Sequence, residues 1–333
     1  MTADHHTSRG YRNPWPEAEP RGLRDVFRWS LERRRQALPP DPVPGSFPIA
    51  EPTFAERAGP EQLSATWVGH STVLLQLGAI NILTDPMWSE RASPVSFAGP
   101  RRIVQPAFAL DALPSIDVVV ISHNHYDHLD RPTVRALARR MPEAEWIVPL
   151  GLSPLVRGWG VDRVREADWW QTVEVRTARG PVSVSSTPAQ HFSARGLWDR
   201  GRTLWCSWAM ATGARRAFFG GDTAYHPEFS AIGERYGPFD LSMLPVGAYE
   251  PRWFMKTVHM NPPEALRAYA ELTGRHAGEL AMLPIHWGTF RLTDEAMHDP
   301  PQWTKQLWSD AGYDSARLWL LEHGETRRLA HGE

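Results

Sequence analysis

Ile121-Ser122-His123-Asn124-His125-Tyr126-Asp127-His128-Leu129 is the stretch on which the reading of this chain turns. An apolar run from Asp117 to Ile121 leads into it and reads as a β-strand. His123, His125, Asp127 and His128 then spell HxHxDH, four donor side chains within six residues. Such groups are costly to bury without partners. A loop at a strand end can direct two of them to one divalent ion and two to another. Imidazole nitrogen and carboxylate oxygen suit zinc and its neighbours. The competing reading is a polar turn with surface histidines, and the rest of the chain weighs against it.

Three isolated residues each close a later apolar run. His191 follows Val182 to Thr187 in TPAQH, Asp222 follows Ala217 to Gly221 in FFGGDT, and His286 follows Ala281 to Ile285 in LPIHWG. The glycine pair before Asp222 permits close backbone approach. Taken singly, each reads as an ordinary loop or core polar residue. Their order and their places at strand ends, together with HxHxDH, point to one ligand set.

Further outward the pattern is mixed. Strands are predicted at 65–69, 72–77, 79–84, 117–122, 146–149, 182–187, 204–210, 216–221, 240–245 and 279–285. Helices are predicted at 131–140, 226–236, 261–273 and 301–311; the third has Asn261 as N-cap, Pro262 at N1, Glu264 at N3 and Gly274 beyond its end. Interleaved strands and helices give α/β layers without a second-domain boundary. Arg21 to Leu38 also reads as a helix, with Leu23, Val26, Phe27 and Leu31 on one stripe and Arg24, Arg28, Arg33, Arg34 and Arg35 supplying charge. Its basic face, with Phe27 and Trp29 available, suits an anionic membrane surface. Docking of the stripe on the domain is an alternative compatible with that.

At 333 residues with 42% hydrophobic content, the chain can bury a large core. A formal charge of −2 gives no electrostatic case for nucleic-acid binding. Cys206 is the sole cysteine, so no intramolecular disulfide forms, and its apolar surroundings make it a core residue rather than a nucleophile. The first thirty residues lack an apolar signal core, and no run of about 18 apolar residues occurs. The expected location is cytoplasmic, with peripheral contact on the inner membrane surface through residues 21–38. Sixteen Trp imply large apolar contacts, and the 30 Pro imply abrupt element ends.

On these residues the chain resembles the metallo-β-lactamase superfamily over about 63–325. The resemblance implies a four-layer αβ/βα sandwich with metals at one edge of two facing sheets. It divides the chain into an N-terminal extension, 1–45, and a hydrolase domain, 46–333. It implies two divalent ions, zinc being expected: one on His123, His125 and His191, the other on Asp127, His128 and His286, with Asp222 bridging. Asp85, in ILTDP, matches the aspartate that orients a ligand imidazole.

A narrower resemblance is carried by YRNPWP, TWVGHST (66–72), LTDPMWSERASP (83–94), SHNHYDHLD (122–130), FFGGDTAY (218–225), GPFDL (237–241), GAYEPRWFMK (247–256) and IHWGTF (285–290). These look like the N-acyl-phosphatidylethanolamine-hydrolysing phospholipase D family. Two departures are a short, arginine-rich N-terminal region and Phe192, where the resemblance leads one to expect tryptophan. It implies release of an N-acylethanolamine and phosphatidate by attack at phosphorus, with the metal pair activating water and offsetting transition-state charge. Asp127 and His259 are the implied catalytic residues, His259 orienting the nucleophile or protonating the leaving alkoxide. Its alternative is a histidine packing locally at the helix entry.

Arg252, Lys256 and Tyr249 are candidate substrate contacts, and Trp253, Phe254 and Trp287 are candidates for an acyl groove or for core packing. His70 is expected to be buried near the site without a ligand role. The expected partners are a phospholipid or small phosphodiester, the membrane surface and a second copy of the chain. Two other functions fit the same motifs: a soluble lactonase or small-phosphodiester hydrolase, and a metal-binding protein without turnover.

Overall fold

The computed structural model describes residues 4–196, 198–213 and 215–329. A short hairpin (β1, His6–Thr7; β2, Gly10–Tyr11) and helix α1 (Leu23–Arg35) precede β3 (Leu63–Gly69), β4 (Thr72–Leu77), β5 (Ile80–Thr84) and β6 (Val118–Val120). Next come α2 (Arg131–Arg140), β7 (Glu145–Pro149), α3 (Ser153–Arg157), β8 (Val164–Ala167), β9 (Thr172–Thr177), β10 (Gly180–Thr187), β11 (Ser207–Ala211) and β12 (Arg216–Phe219). Last are α4 (Phe229–Tyr236), β13 (Leu241–Pro245), α5 (Arg252–Met255), α6 (Pro262–Thr273), β14 (Ala281–Ile285), α7 (Asp299–Asp310) and β15 (Thr326–Arg328).

Two sheets face each other, ordered β15-β3-β4-β5-β6-β7-β8 and β14-β13-β12-β11-β10-β9. Alternation within single strands explains the layering. In β6, Val118 and Val120 point into the core between the sheets, while Val119 points outward to Val134 and Leu137 of α2 and Val156 of α3. The second sheet repeats this, with Phe218, Leu244 and Met282 packing against Phe229, Ile232, Tyr269 and Trp308 of α4, α6 and α7. Strands buried on both faces read as continuous apolar runs. The result is the αβ/βα sandwich. Cys206 is buried between the sheets, and Trp67, Trp205, Trp208 and Trp319 pack there too.

Helix α6 is capped as its sequence dictates: Asn261 Oδ1 accepts from the Glu264 backbone N–H, and Glu264 accepts from that of Asn261. Helix α1 docks unexpectedly. Leu23, Val26, Phe27 and Leu31 face solvent, Leu23 at 79% and Phe27 at 66% exposure. The opposite face is the seat: the Trp29 indole donates to Asp294 at 2.6 Å, Arg33 pairs with Asp294 at 3.0 Å, and Trp29 stacks on Phe254.

Candidate metal centre

Loops at one edge of the sandwich converge. His70 lies in the β3–β4 turn, Asp85 follows β5, HxHxDH follows β6, His191 follows β10, Asp222 follows β12 and His286 follows β14. Gly221, at φ +56°, packs on Ser122 so closely that a Cβ there would enter its side chain. This brings the Asp222 loop against the HxHxDH loop. His70, Asp85 and His286 also hold positive φ, at 55°, 33° and 62°. Such backbone costs roughly 1–3 kcal/mol per residue and gathers at functional sites.

The donor atoms form two sets. His125 Nδ1 lies 2.8 Å from His123 Nε2 and 3.1 Å from His191 Nε2, with Asp222 Oδ2 at 3.8 Å from His191 Nε2. In the other set, Asp127 Oδ2 lies 3.3 Å from His128 Nε2, 3.5 Å from His286 Nε2 and 2.8 Å from His70 Nε2. Asp222 spans both, because Oδ2 is also 3.1 Å from His128 Nε2 and Oδ1 is 3.2 Å from His286 Nε2.

The far sides of His128 and His191 are fixed. His128 Nδ1 meets Asp85 at 2.7 Å, and Asp85 also accepts from the Ser122 backbone and hydroxyl. His191 Nδ1–H donates to the Val258 carbonyl at 2.8 Å. These contacts select the tautomer that leaves Nε2 free toward the centre.

The inward atoms are less well served. His128 Nε2, His286 Nε2 and Asp222 Oδ1 are buried without a hydrogen-bond partner. A divalent cation in each set would satisfy them, so nitrogen–oxygen donors of this chemistry fit metal ions. Burial opposes charge on His128 and His286, yet Asp222 and Asp127 hold His128 well above the usual range and His286 at about 9. Burial and then His191 lower His125 to about 3, while burial, against Asp222, takes His191 to about 4. Burial disfavours the charged form of Asp127 and Asp222 as well, but His128 keeps both well below the usual carboxylate range.

His259 is buried beside this cluster, its Nδ1 unpartnered and 4.0 Å from Asp222 Oδ2, its ring 5.2 Å from those of His191 and His286. Two residues have partners that their sequence context did not give. The Arg252 guanidinium pairs with Glu264 at 2.8 Å and donates to the His259 carbonyl at 3.0 Å. His70 is more than a neighbour, since it bonds Asp127 and stands within ligand reach of the second set.

Tyr249 lines a separate cavity of about 450 Å³ with Glu250, Glu295 and Asp299, acidic company for a phosphodiester. Lys256 is exposed at the end of α5. Trp253 and Phe254 form the seat of α1, and Trp287 stacks on Trp67.

Asn13 and Thr289 escaped the sequence reading. Asn13 donates to the His191 carbonyl at 2.9 Å, and the His70 backbone N–H donates to the Thr289 hydroxyl at 2.7 Å. Both act across long sequence separations; their only sequence signal was membership of YRNPWP and IHWGTF.

Fold and site together define a class: two facing sheets with helices outside, and a His/Asp cluster at one edge. Residues 80–287 match the family model described as a β-lactamase superfamily domain, and the chain belongs to the metallo-β-lactamase superfamily as a metal-dependent hydrolase. Within it, the chain is 39% identical to N-acyl-phosphatidylethanolamine-hydrolyzing phospholipase D 1 of Caenorhabditis elegans, over 86% of this chain and 82% of that one. The mitochondrial enzyme of that name from Saccharomyces cerevisiae is 35% identical over 78% of this chain and 55% of its own. An uncharacterised protein of Mycobacterium tuberculosis is 45% identical over 82% and 70%. Among solved structures, the metallo hydrolase Igni18 of Ignicoccus hospitalis superposes with a TM-score of 0.59 at 21% identity, covering 81% of this chain and 99% of its own. These last figures speak for the fold.

Proposed function

We propose that the chain is a dinuclear phosphodiesterase of the phospholipase D type, releasing an N-acylethanolamine and phosphatidate from N-acyl-phosphatidylethanolamine. The observation that carries this is the Asp222 carboxylate lying between two sets of donors, within 3.2 Å of His128 and His286 and 3.8 Å of His191. The similarity to the C. elegans and yeast phospholipases supports the substrate class. His123, His125 and His191 would hold one ion, and Asp127, His128 and His286 the other, zinc being the expected metal, with Asp222 shared. Ions held there would supply a nucleophilic water at neutral pH and a clamp on the phosphoryl oxygens.

The remaining work falls to side chains. Asp85 and the Val258 carbonyl hold His128 and His191 in the ligating tautomer. His70 steadies Asp127 through its 2.8 Å contact. His259, whose unpartnered Nδ1 lies 4.0 Å from Asp222, would orient the nucleophile or pass a proton to the departing alkoxide.

The extension, residues 1–45, is proposed to bring the 46–333 domain to an anionic bilayer by the outward stripe of α1. No helix among the described residues is long and apolar enough to cross a membrane. A membrane role for α1 is interfacial.

The test offers metal-loaded protein an N-acyl phospholipid, bis-p-nitrophenyl phosphate and a set of lactones. Preferred turnover of the phospholipid, with oxygen-18 from water entering phosphatidate, is expected. Turnover of lactones alone, or label in the alcohol, overturns the proposal.

A further inference from the structure

The N-terminal hairpin carries a second group of donor side chains, apart from the centre above. His5 Nε2 lies 2.7 Å from Asp168 Oδ1, and His6 Nε2 lies 2.8 Å from Asp168 Oδ2. Adjacent residues of an extended segment ordinarily point to opposite faces. These two imidazoles instead converge edge to face, 4.6 Å between centroids, on the two oxygens of one carboxylate. The three ligand atoms lie within 4.8 Å of one another.

The surroundings hold them in place. His5 is buried and stacks on Trp169 at 4.1 Å. Asp168 Oδ1 accepts the Trp169 N–H at 2.8 Å, and the Asp168 N–H donates to Gln171 at 3.0 Å. Burial lowers the His5 pKa despite Asp168, so this imidazole meets the carboxylate uncharged near neutrality.

We infer that His5, His6 and Asp168 bind one further divalent cation of the zinc class. Two imidazole nitrogens and a carboxylate oxygen are donors such ions take, and water reaches the half-exposed His6 side to complete a tetrahedron. To ligate, each ring would turn its Nε2 lone pair to the ion and carry its single proton on Nδ1, as a neutral imidazole ligand does. Asp168 lies between β8, the end of the first sheet, and β9, the start of the second. A cation there ties the hairpin to the crossover between the sheets. From the hairpin the chain runs on as a strap: Tyr11 N–H donates to the Gly201 carbonyl, Asn13 reaches the His191 carbonyl, and Trp15 stacks on His226. The cation site therefore anchors a segment that supports the backbone of His191.

The experiment counts metal in chelator-stripped protein re-exposed to zinc or cobalt(II). The wild type is expected to hold one equivalent per chain more than His6→Ala and Asp168→Asn. Because only the difference is read, the number held by the main centre does not enter. His6→Cys is expected to restore the missing equivalent and to add a thiolate-to-cobalt charge-transfer band. Zinc is also expected to slow tryptic cleavage at Arg9 and Arg12 in the wild type but not in His6→Ala. Equal stoichiometry in the wild type and His6→Ala overturns the inference and leaves the trio a hydrogen-bonded clasp. His6 is half-exposed, so its variant carries the comparison even if Asp168→Asn folds poorly.

Discussion

At the scale of single residues, His259 and Asp222 separate chemistry from metal holding. His259 lies 4.0 Å from Asp222 and outside the two proposed ligand sets, so His259→Ala is expected to retain full metal content. Loss of a proton-transfer group costs on the order of 10²- to 10⁴-fold in rate. Elemental analysis beside kcat checks this; unchanged kcat removes His259 from the reaction. Asp222→Asn is the counterpart. It takes a charge from both donor sets at once and is expected to lower bound metal as well as rate. The ligand residues were legible because the side-chain types and strand-end positions are themselves the signal. The role of Arg252 was not, because its partners, Glu264 and the His259 carbonyl, are set by how α5 and α6 fold back on each other. The contact of His70 with Asp127 was not legible for the same reason: the fold alone brings its turn there.

At the scale of elements, α5 is a brace for the His259 loop. Removing the guanidinium with Arg252→Ala leaves that loop without its tie to α6. The expected result is a fall in kcat of about tenfold, near 1.4 kcal/mol in the barrier, with KM unchanged. A rise in KM at constant kcat would instead restore Arg252 as a headgroup contact. Helix α1 makes a separate prediction. Leu23 and Phe27 are exposed, so changing both to serine leaves folding stability intact. Each contributes about 1.5–3 kcal/mol when buried in an apolar phase, so binding to anionic vesicles is expected to drop at least tenfold. Undiminished cosedimentation would end the interfacial role. Central strands such as β4 and β6 were readable because both faces are buried. Strands β8, β9 and β15 were missed because VREA, TVEVRT and TRR carry charges that an edge or short strand tolerates. The seat of α1 was unreadable, since Asp294 and Phe254 lie more than two hundred residues away.

At the scale of the whole molecule, two buried histidines outside the cluster set an acid limit on stability. Burial alone lowers His226 to about 3, between Trp15 and Phe229. Burial, with Arg102 adding to it, lowers His323 to about 3, where its Nε2 contacts the Thr289 hydroxyl at 3.0 Å. Both have an ordinary value of 6.5 once unfolded. Between those values the unfolded chain holds more protons than the folded one, so stability falls as pH drops below 6.5 and the loss levels off near 3. Each group adds at most about 1.4 kcal/mol per pH unit to that slope. His226→Phe preserves the ring stack but cannot take the proton. Urea unfolding of metal-loaded protein between pH 7 and 4 should therefore show a shallower slope for the variant than for the wild type. Parallel slopes would mean that His226 gains its proton without unfolding, and the strap residue Trp15, stacked on it at 4.7 Å, would then lie on a charged ring at mildly acidic pH.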